Sequence, residues 1–304
     1  MVAFLNSLPG AAAQGIIWGI MAIGVYLTYK ILDVADLTVD GSFGTGGAVL
    51  VMCMTSGMSL PLAMLLSFIA GCLAGLVTGL LHTKFGIPAI LSGILTQLAL
   101  YSVNLRILGG ANLTLSGRKY KLLVQLGNIP QSLVVGLLFT IMIIAILYWF
   151  FGTELGHSLR ATGCNPAMAR ANGINTGMNK ILGIVLSNGI VALAGALLAQ
   201  WQGFADVNMG RGAIVIGLAA VIIGEVIFGK IFKNFAARLL AVVFGGIIYY
   251  VVITFVLGLG LNANDLKMFS AIVVAVFLAI PYWKQSISDR KIKPVKEDSQ
   301  DVTN

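Results

Sequence analysis

Residues 152–177 read GTELGHSLRATGCNPAMARANGINTG, a polar stretch set between two apolar runs, 129–151 and 178–200. Each run is long enough to cross a hydrocarbon core of roughly 30 Å as a helix, so the stretch between them is held at a membrane surface. It carries small residues at Ala161, Ala167, Ala169 and Ala171 and basic ones at Arg160 and Arg170, a pattern that predicts a short helix of its own. Asn165 is its predicted cap, Pro166 suits the first helical turn because its missing amide costs nothing there, and Gly173 is the predicted left-handed end. A structured, basic, small-faced segment in this position is a docking element for a cytosolic partner.

The rest of the 304-residue chain places this segment in an all-α polytopic bundle. Apolar residues make up 58% of it and charged residues only 10%, with a mean hydropathy of +0.96, which excludes an ordinary soluble domain. Apolar runs fall near 11–32, 42–57, 60–82, 86–109, 129–151, 178–200, 212–229, 235–259 and 266–283. They predict about nine transmembrane helices, within a range of about eight to ten. The second run is short and glycine-rich. One membrane domain therefore covers 1–285, with the surface helix near 157–175, and a polar cytoplasmic tail covers 286–304.

Orientation follows from Lys and Arg, which cytoplasmic loops retain. If the chain starts outside, the inner loops hold Lys30, Lys84, Arg160, Arg170, Lys180, Lys230, Lys233 and Arg238, and the tail adds five more cations. The outer side holds Arg106, Arg118, Lys119, Lys121, Arg211 and Lys267. Topology and contact with anionic lipid headgroups account for the net charge of +8, and nucleic-acid binding is not needed to explain it. Trp149 and Trp283 are predicted at inner interfaces and Trp201 at an outer one. The first helix lacks a small-residue cleavage site and reads as a retained anchor.

Several motifs admit two uses. Gly71, Gly75 and Gly79, and then Gly183, Ser187 and Gly195, form small stripes that let helices approach closely, either within the chain or between copies. Asp33, Asp36 and Asp40 sit in ILDVADLTVDGSFGTGG (31–47). They either face a cavity or partner, or lie at the interface with Asp40 capping the second helix. The glycines after Asp40 point to a broken helix, which membranes tolerate where backbone lines a cavity. ADLTVDGSFGTGGAVLV (35–51) has a faint echo in ADVNMGRGAIVIGLAAV (205–221), one starting from the inner side and the other from the outer. Inverted repeats of this kind point to a transport pathway at their interface. Glu225 is a charge within an apolar span; it lines the pathway or forms an ion pair inside the bundle. Gln97, Asn104 and Asn188 have the same two uses. The expected lining of a largely apolar conduit is Asp40, Ser42, Gln97, Asn188 and Glu225.

Catalysis has no visible seat. GEVIFGKI (224–231) imitates a phosphate-binding loop but has Ile231 where Ser or Thr must hold magnesium. His82 and His157 are unpaired in sequence, and Cys53, Cys72 and Cys164 lack metal-ligand or disulfide spacing.

Three blocks carry a family resemblance: LTVDGSFGTGGAV (37–49), LRATGCNPAMARANGIN (159–175) and the run from Leu186 to Glu225. Over about residues 10–285 the chain resembles permease subunits of bacterial ABC importers, in the branch related to branched-chain amino acid and simple-sugar (ribose-type) permeases. The resemblance implies a type II importer-like fold with inverted-repeat character. It implies that the surface helix is a coupling helix contacting the ATPase through Arg160, Ala161, Thr162, Gly163, Asn165, Ala169, Arg170 and Gly173. It further implies two ATPase subunits, a second permease copy and an extracellular substrate-binding protein. No cofactor is expected in this chain, since ATP and magnesium would sit on the ATPase. Amino acids, including aromatic ones such as tryptophan, are the implied cargo. Arg118, Lys119 and Lys121, basic on the side where basic residues are disfavoured, are expected to dock the binding protein. The competing functions are an ion-coupled secondary transporter using Asp40 or Glu225, and a non-transporting membrane scaffold.

Overall fold

A chain inside hydrocarbon must satisfy its backbone amides and carbonyls within each segment, so the apolar runs become helices. The computed structural model describes residues 2–258 apart from 116, 118 and 119, and also 268, 271, 272, 274–277 and 279. The helices are α1 (Val2–Tyr26), α2 (Thr38–Thr55), α3 (Leu60–Thr83), α4 (Ala89–Leu108) and α5 (Ile129–Phe151). They continue with α6 (Glu154–Cys164), α7 (Pro166–Ala171), α8 (Thr176–Gln202), α9 (Ala213–Phe228) and α10 (Phe235–Gly258). A π-helical turn, Leu27–Ile31, ends α1. Two short strands, β1 (Asn112–Thr114) and β2 (Phe204–Asp206), pair antiparallel, with Leu113 opposite Ala205.

Six described helices are long and apolar enough to cross a membrane: α1 with its π-turn, α3, α4, α5, α8 and α10. Of the three remaining expected spans, two are of a different kind. The helix α9 has 16 residues and is about 24 Å long at 1.5 Å per residue, short of a full crossing. The helix α2 begins at Thr38, four residues before the predicted run at 42, because the polar residues Thr38 and Asp40 have partners at that depth. The 286–304 tail lies outside the described residues, as does most of the ninth expected span, 266–283, including Trp283.

Burial ranks the helices. Of their span-length windows, 83% is buried in α1 and 78% in α8, against 28% in α4 and α5. The helices α1 and α8 are therefore the inner posts, and α3, α4 and α5 turn leucine and isoleucine outward to lipid. Trp149 is exposed near the end of α5, whereas Trp201, in the last turn of α8, is buried in the core.

The glycine stripes serve packing within the chain. A side chain at Gly71 would run into the Asn188 carbonyl, one at Gly75 would come within 2.6 Å of the Ile184 carbonyl, and one at Gly79 within 3.1 Å of the Ile181 backbone. The helix α3 therefore lies directly on α8, as small residues allow in lipid where no hydrophobic force drives helices together. Gly46 of α2 faces the Ala192 carbonyl in the same way, and Gly195 of α8 faces that of Phe43, which locks α2 to the same post.

Candidate functional site

Near the midpoint of the 27-residue α8 stands Asn188, fully buried. Its amide donates to Asp36 Oδ2 at 2.7 Å and to the Ile184 carbonyl at 3.0 Å, while its oxygen accepts from Ser42 Oγ at 2.6 Å. Asp36 is itself buried and accepts from the Thr38 amide at 2.9 Å. No cation lies within ion-pair distance of Asp36 among the described residues. Burying a polar group is tolerable only when it is hydrogen-bonded, so this chain of three side chains fixes the start of α2 deep in the bundle.

Asp40, one turn further, crosses to the other half of the chain. Its carboxylate accepts from the Gly212 amide at 2.9 Å and the Ile214 amide at 2.9 Å, both at the start of α9. A helix N-terminus leaves free amides and a partial positive charge, which a carboxylate satisfies. Asp40 thus caps α9; capping α2 was one of the two uses open to it in the sequence. Gly210 packs against the Asp40 carbonyl, and Gly212 adopts φ +84°, a conformation that favours glycine. The starts of α2 and α9 meet at this junction. Their local turns match: Asp206 accepts from the Asn208 amide at 2.7 Å, as Asp36 does from Thr38. The likeness stops at that turn: α2 begins at Thr38, two residues after Asp36, whereas α9 begins at Ala213, seven after Asp206.

Between α5 and α8, in the segment expected at the cytoplasmic surface, α6 and α7 form an elbow. Asn165 caps α7 by accepting from Ala167 and Met168 amides at 3.1 and 3.0 Å, with Pro166 next. Gly173, at φ +78°, ends it, with the Ile174 amide reaching back to the Ala169 carbonyl at 3.0 Å. The inner side of the elbow is bolted down. Asn179 of α8 donates to Ser158 Oγ at 3.1 Å and Thr162 Oγ1 at 2.9 Å. Gly163 lies against the Ile31 carbonyl, and Ala169 is fully buried. The Arg160 guanidinium sits 4.4 Å from the Phe235 ring and 5.1 Å from that of Phe151, a cation–π clamp. The outer side presents Leu155, Ala167, Met168 and Arg170 to solvent. The elbow is a rigid knob whose back is fastened to α1, α8 and α10.

Comparison with known proteins bears on this arrangement. A family described as "Branched-chain amino acid transport system / permease component" matches residues 7–281. The chain belongs to that family. A tyrosine transport system permease protein of Clostridioides difficile is 41% identical over 97% of this chain and 98% of its own length. The autoinducer 2 import system permease protein LsrC of Salmonella typhimurium is 29% identical over 68% of this chain and 59% of its own. Among solved structures, PsaBC from Streptococcus pneumoniae in complex with Fab aligns over 84% of this chain and 95% of that one, at 16% identity and a TM-score of 0.42. The protein is therefore a multi-pass membrane permease subunit of an ABC transport system, not an enzyme, and ATP hydrolysis belongs to separate subunits.

In the permease, the residues expected to line a pathway separate. Asp40, Ser42 and Asn188 gather at the junction. Gln97 lies beside it, half-buried, its backbone against Gly41. Glu225 does not join them; it pairs with Lys30 at 3.0 Å near the C-terminal end of α9, both partly exposed. Of the expected coupling residues, Asn165, Arg170 and Gly173 are exposed, while Thr162 and Ala169 are buried and Arg160, Ala161 and Gly163 are half-buried. Thr162, Gly163 and Ala169 make contacts that hold the elbow on the bundle. Arg118 and Lys119 lie outside the described residues, and Lys121 is exposed. Sequence reasoning passed over Asn179, whose clamp joins helices 17 residues apart, and Asp36 as a member of the junction. It also gave no role to the hydroxyl chain Thr38–Thr78–Thr96, with spacings of 2.7 and 2.8 Å, because threonine in an apolar run carries no pattern of its own.

Proposed function

We propose that two copies of this permease, with two ATPase subunits and an extracellular binding protein, import an aromatic amino acid by ATP hydrolysis. The observation that carries the coupling role is the elbow: an outer face of Leu155, Met168 and Arg170 on a back fastened to α1, α8 and α10. A partner that moves such a knob moves the helices behind it, including the post that holds Asn188. The family supports an amino acid as cargo, and the relative named for tyrosine transport, 41% identical, supports an aromatic one. ATP and magnesium would be bound by the ATPase. Lys121, with Arg118 and Lys119, would meet acidic residues of the binding protein through complementary charge, which speeds encounter and sets orientation.

An ion-coupled mechanism finds less support. Both oxygens of Asp40 are committed to backbone amides, and Glu225 is committed to Lys30. The test is uptake of labelled tyrosine, tryptophan and leucine into proteoliposomes holding the permease, its ATPase and its binding protein. Uptake of an aromatic amino acid that needs internal ATP and ignores a protonophore is the expected result. Uptake driven by a proton gradient without ATP would overturn the mechanism; ATP-driven uptake of leucine alone would overturn only the cargo.

A further inference from the structure

Between the inner ends of α1 and α10 and the back of α6 lies a cavity of about 340 Å³, within the range of roughly 300–1,000 Å³ typical of small-ligand sites. Four cations from four parts of the chain line it: Lys30 of the π-turn, Arg160 of α6, Lys233 of the α9–α10 connection and Arg238 of α10. Only Lys30 has a carboxylate partner among the described residues, the Glu225 already noted. The rings of Phe151 and Phe235 fix the position of Arg160 but leave its charge in place. Lys233 and Arg238 are exposed. Three cations without a carboxylate partner among the described residues therefore converge on one cavity, whose remaining walls include Ile31, Phe235 and Tyr26, the last hydrogen-bonded to Arg238. That lining, cationic on one part and apolar on another, matches a ligand that is itself anionic at one end and apolar beside it.

We propose that this cavity holds the phosphodiester headgroup of an anionic phospholipid from the inner leaflet. Arg160, Lys233 and Arg238 would take the phosphate oxygens. The acyl chains would lie on exposed apolar side chains such as Trp149 at the end of α5 and Ile227 and Ile231 around the end of α9. A lipid is already concentrated at that surface, and basic residues close to an anionic leaflet attract it. An acidic side chain of the ATPase fits less well, because the exposed Met168 and Arg170 stand on the elbow's outer face while Arg160 is clamped on its back. Bound there, the lipid bridges α6 to α1 and α10, so the elbow transmits motion best when the site is filled. The site follows from the membrane placement of the permease and does not depend on which solute is carried.

The test uses the full-length permease with its ATPase subunits, exchanged from detergent into nanodiscs of phosphatidylglycerol or phosphatidylcholine. Native mass spectrometry counts retained lipid, and ATPase stimulation by the loaded binding protein is read in parallel. The double variant Lys233→Gln, Arg238→Gln removes two exposed charges and leaves the Arg160 clamp alone. It should bind phosphatidylglycerol about thirty-fold more weakly, the equivalent of about 1 kcal/mol for each basic residue near an anionic surface. Wild type should retain phosphatidylglycerol over phosphatidylcholine and couple better in it, and inorganic phosphate should not displace the lipid. Three results would overturn the proposal. These are equal retention of the two lipids, displacement by inorganic phosphate, which indicates a site for a free anion, or variant complexes that lose the ATPase while keeping phosphatidylglycerol, which indicates an acidic protein face.

Discussion

Asp40 is the residue on which the two halves of the permease depend, since its carboxylate accepts from amides 172 and 174 residues away. Replacing it with alanine leaves those amides without an acceptor at a cost of about 1–3 kcal/mol each if they remain buried. Asp40→Asn presents an amide group where an acceptor is needed and loses at least one of the two bonds. Both variants should lower the thermal midpoint of the purified permease and its uptake, alanine more than asparagine. Glu225→Gln breaks a partly exposed ion pair, worth about 0–1 kcal/mol, so its midpoint and its uptake should stay near wild type. Uptake lost in Glu225→Gln with assembly intact would return that carboxylate to the pathway. The polar character of Asp36, Asp40 and Asn188 was legible in the sequence because each interrupts an apolar run. Their partners were not, because Asp36 and Asn188 are 152 residues apart and meet only once α2 lies on α8.

At the scale of elements, the ends of α7 were legible and its orientation was not. Asn165, Pro166 and Gly173 act on their immediate neighbours, so their chemistry alone located cap, first turn and terminus. Which side of a six-residue helix faces inward is decided by what it packs against, and the fully buried Ala169 is therefore an anchor. Ala169→Trp should destabilise the fold, since overfilling a packed site costs typically about 1–3 kcal/mol. Met168→Glu, on the exposed side, should leave the thermal midpoint unchanged. Equal midpoints for wild type and Ala169→Trp would show that α7 is not seated on the bundle. Gly71 and Gly75 offer the matching test in the membrane, because valine at either would push α3 off α8. Both variants should reduce yield and melting temperature, and a wild-type melt in either would remove the close α3–α8 contact.

The whole molecule joins two distant features, the elbow of α6 and α7 and the junction of α2 with α9 deep in the bundle. The α8 post connects them: Asn179 grips α6, and Asn188, nine residues further and about 14 Å along the helix at 1.5 Å per residue, grips α2. A rigid post fastened at both places carries displacement from one to the other. Two copies of the permease are expected to enclose one pathway, and native mass spectrometry of the complex should find two permease chains with two ATPases; a transport-active complex with one permease chain would contradict that. The measurement that bears most directly on the central claim is ATPase stimulation by loaded binding protein in proteoliposomes, for wild type and for Met168→Glu, Arg170→Glu. Both residues are exposed on the elbow, so the variant should assemble in the membrane with a wild-type melt. The account predicts that its basal hydrolysis persists while stimulation and uptake collapse together. Full stimulation and full uptake in that variant would contradict the claim that the elbow couples hydrolysis to transport.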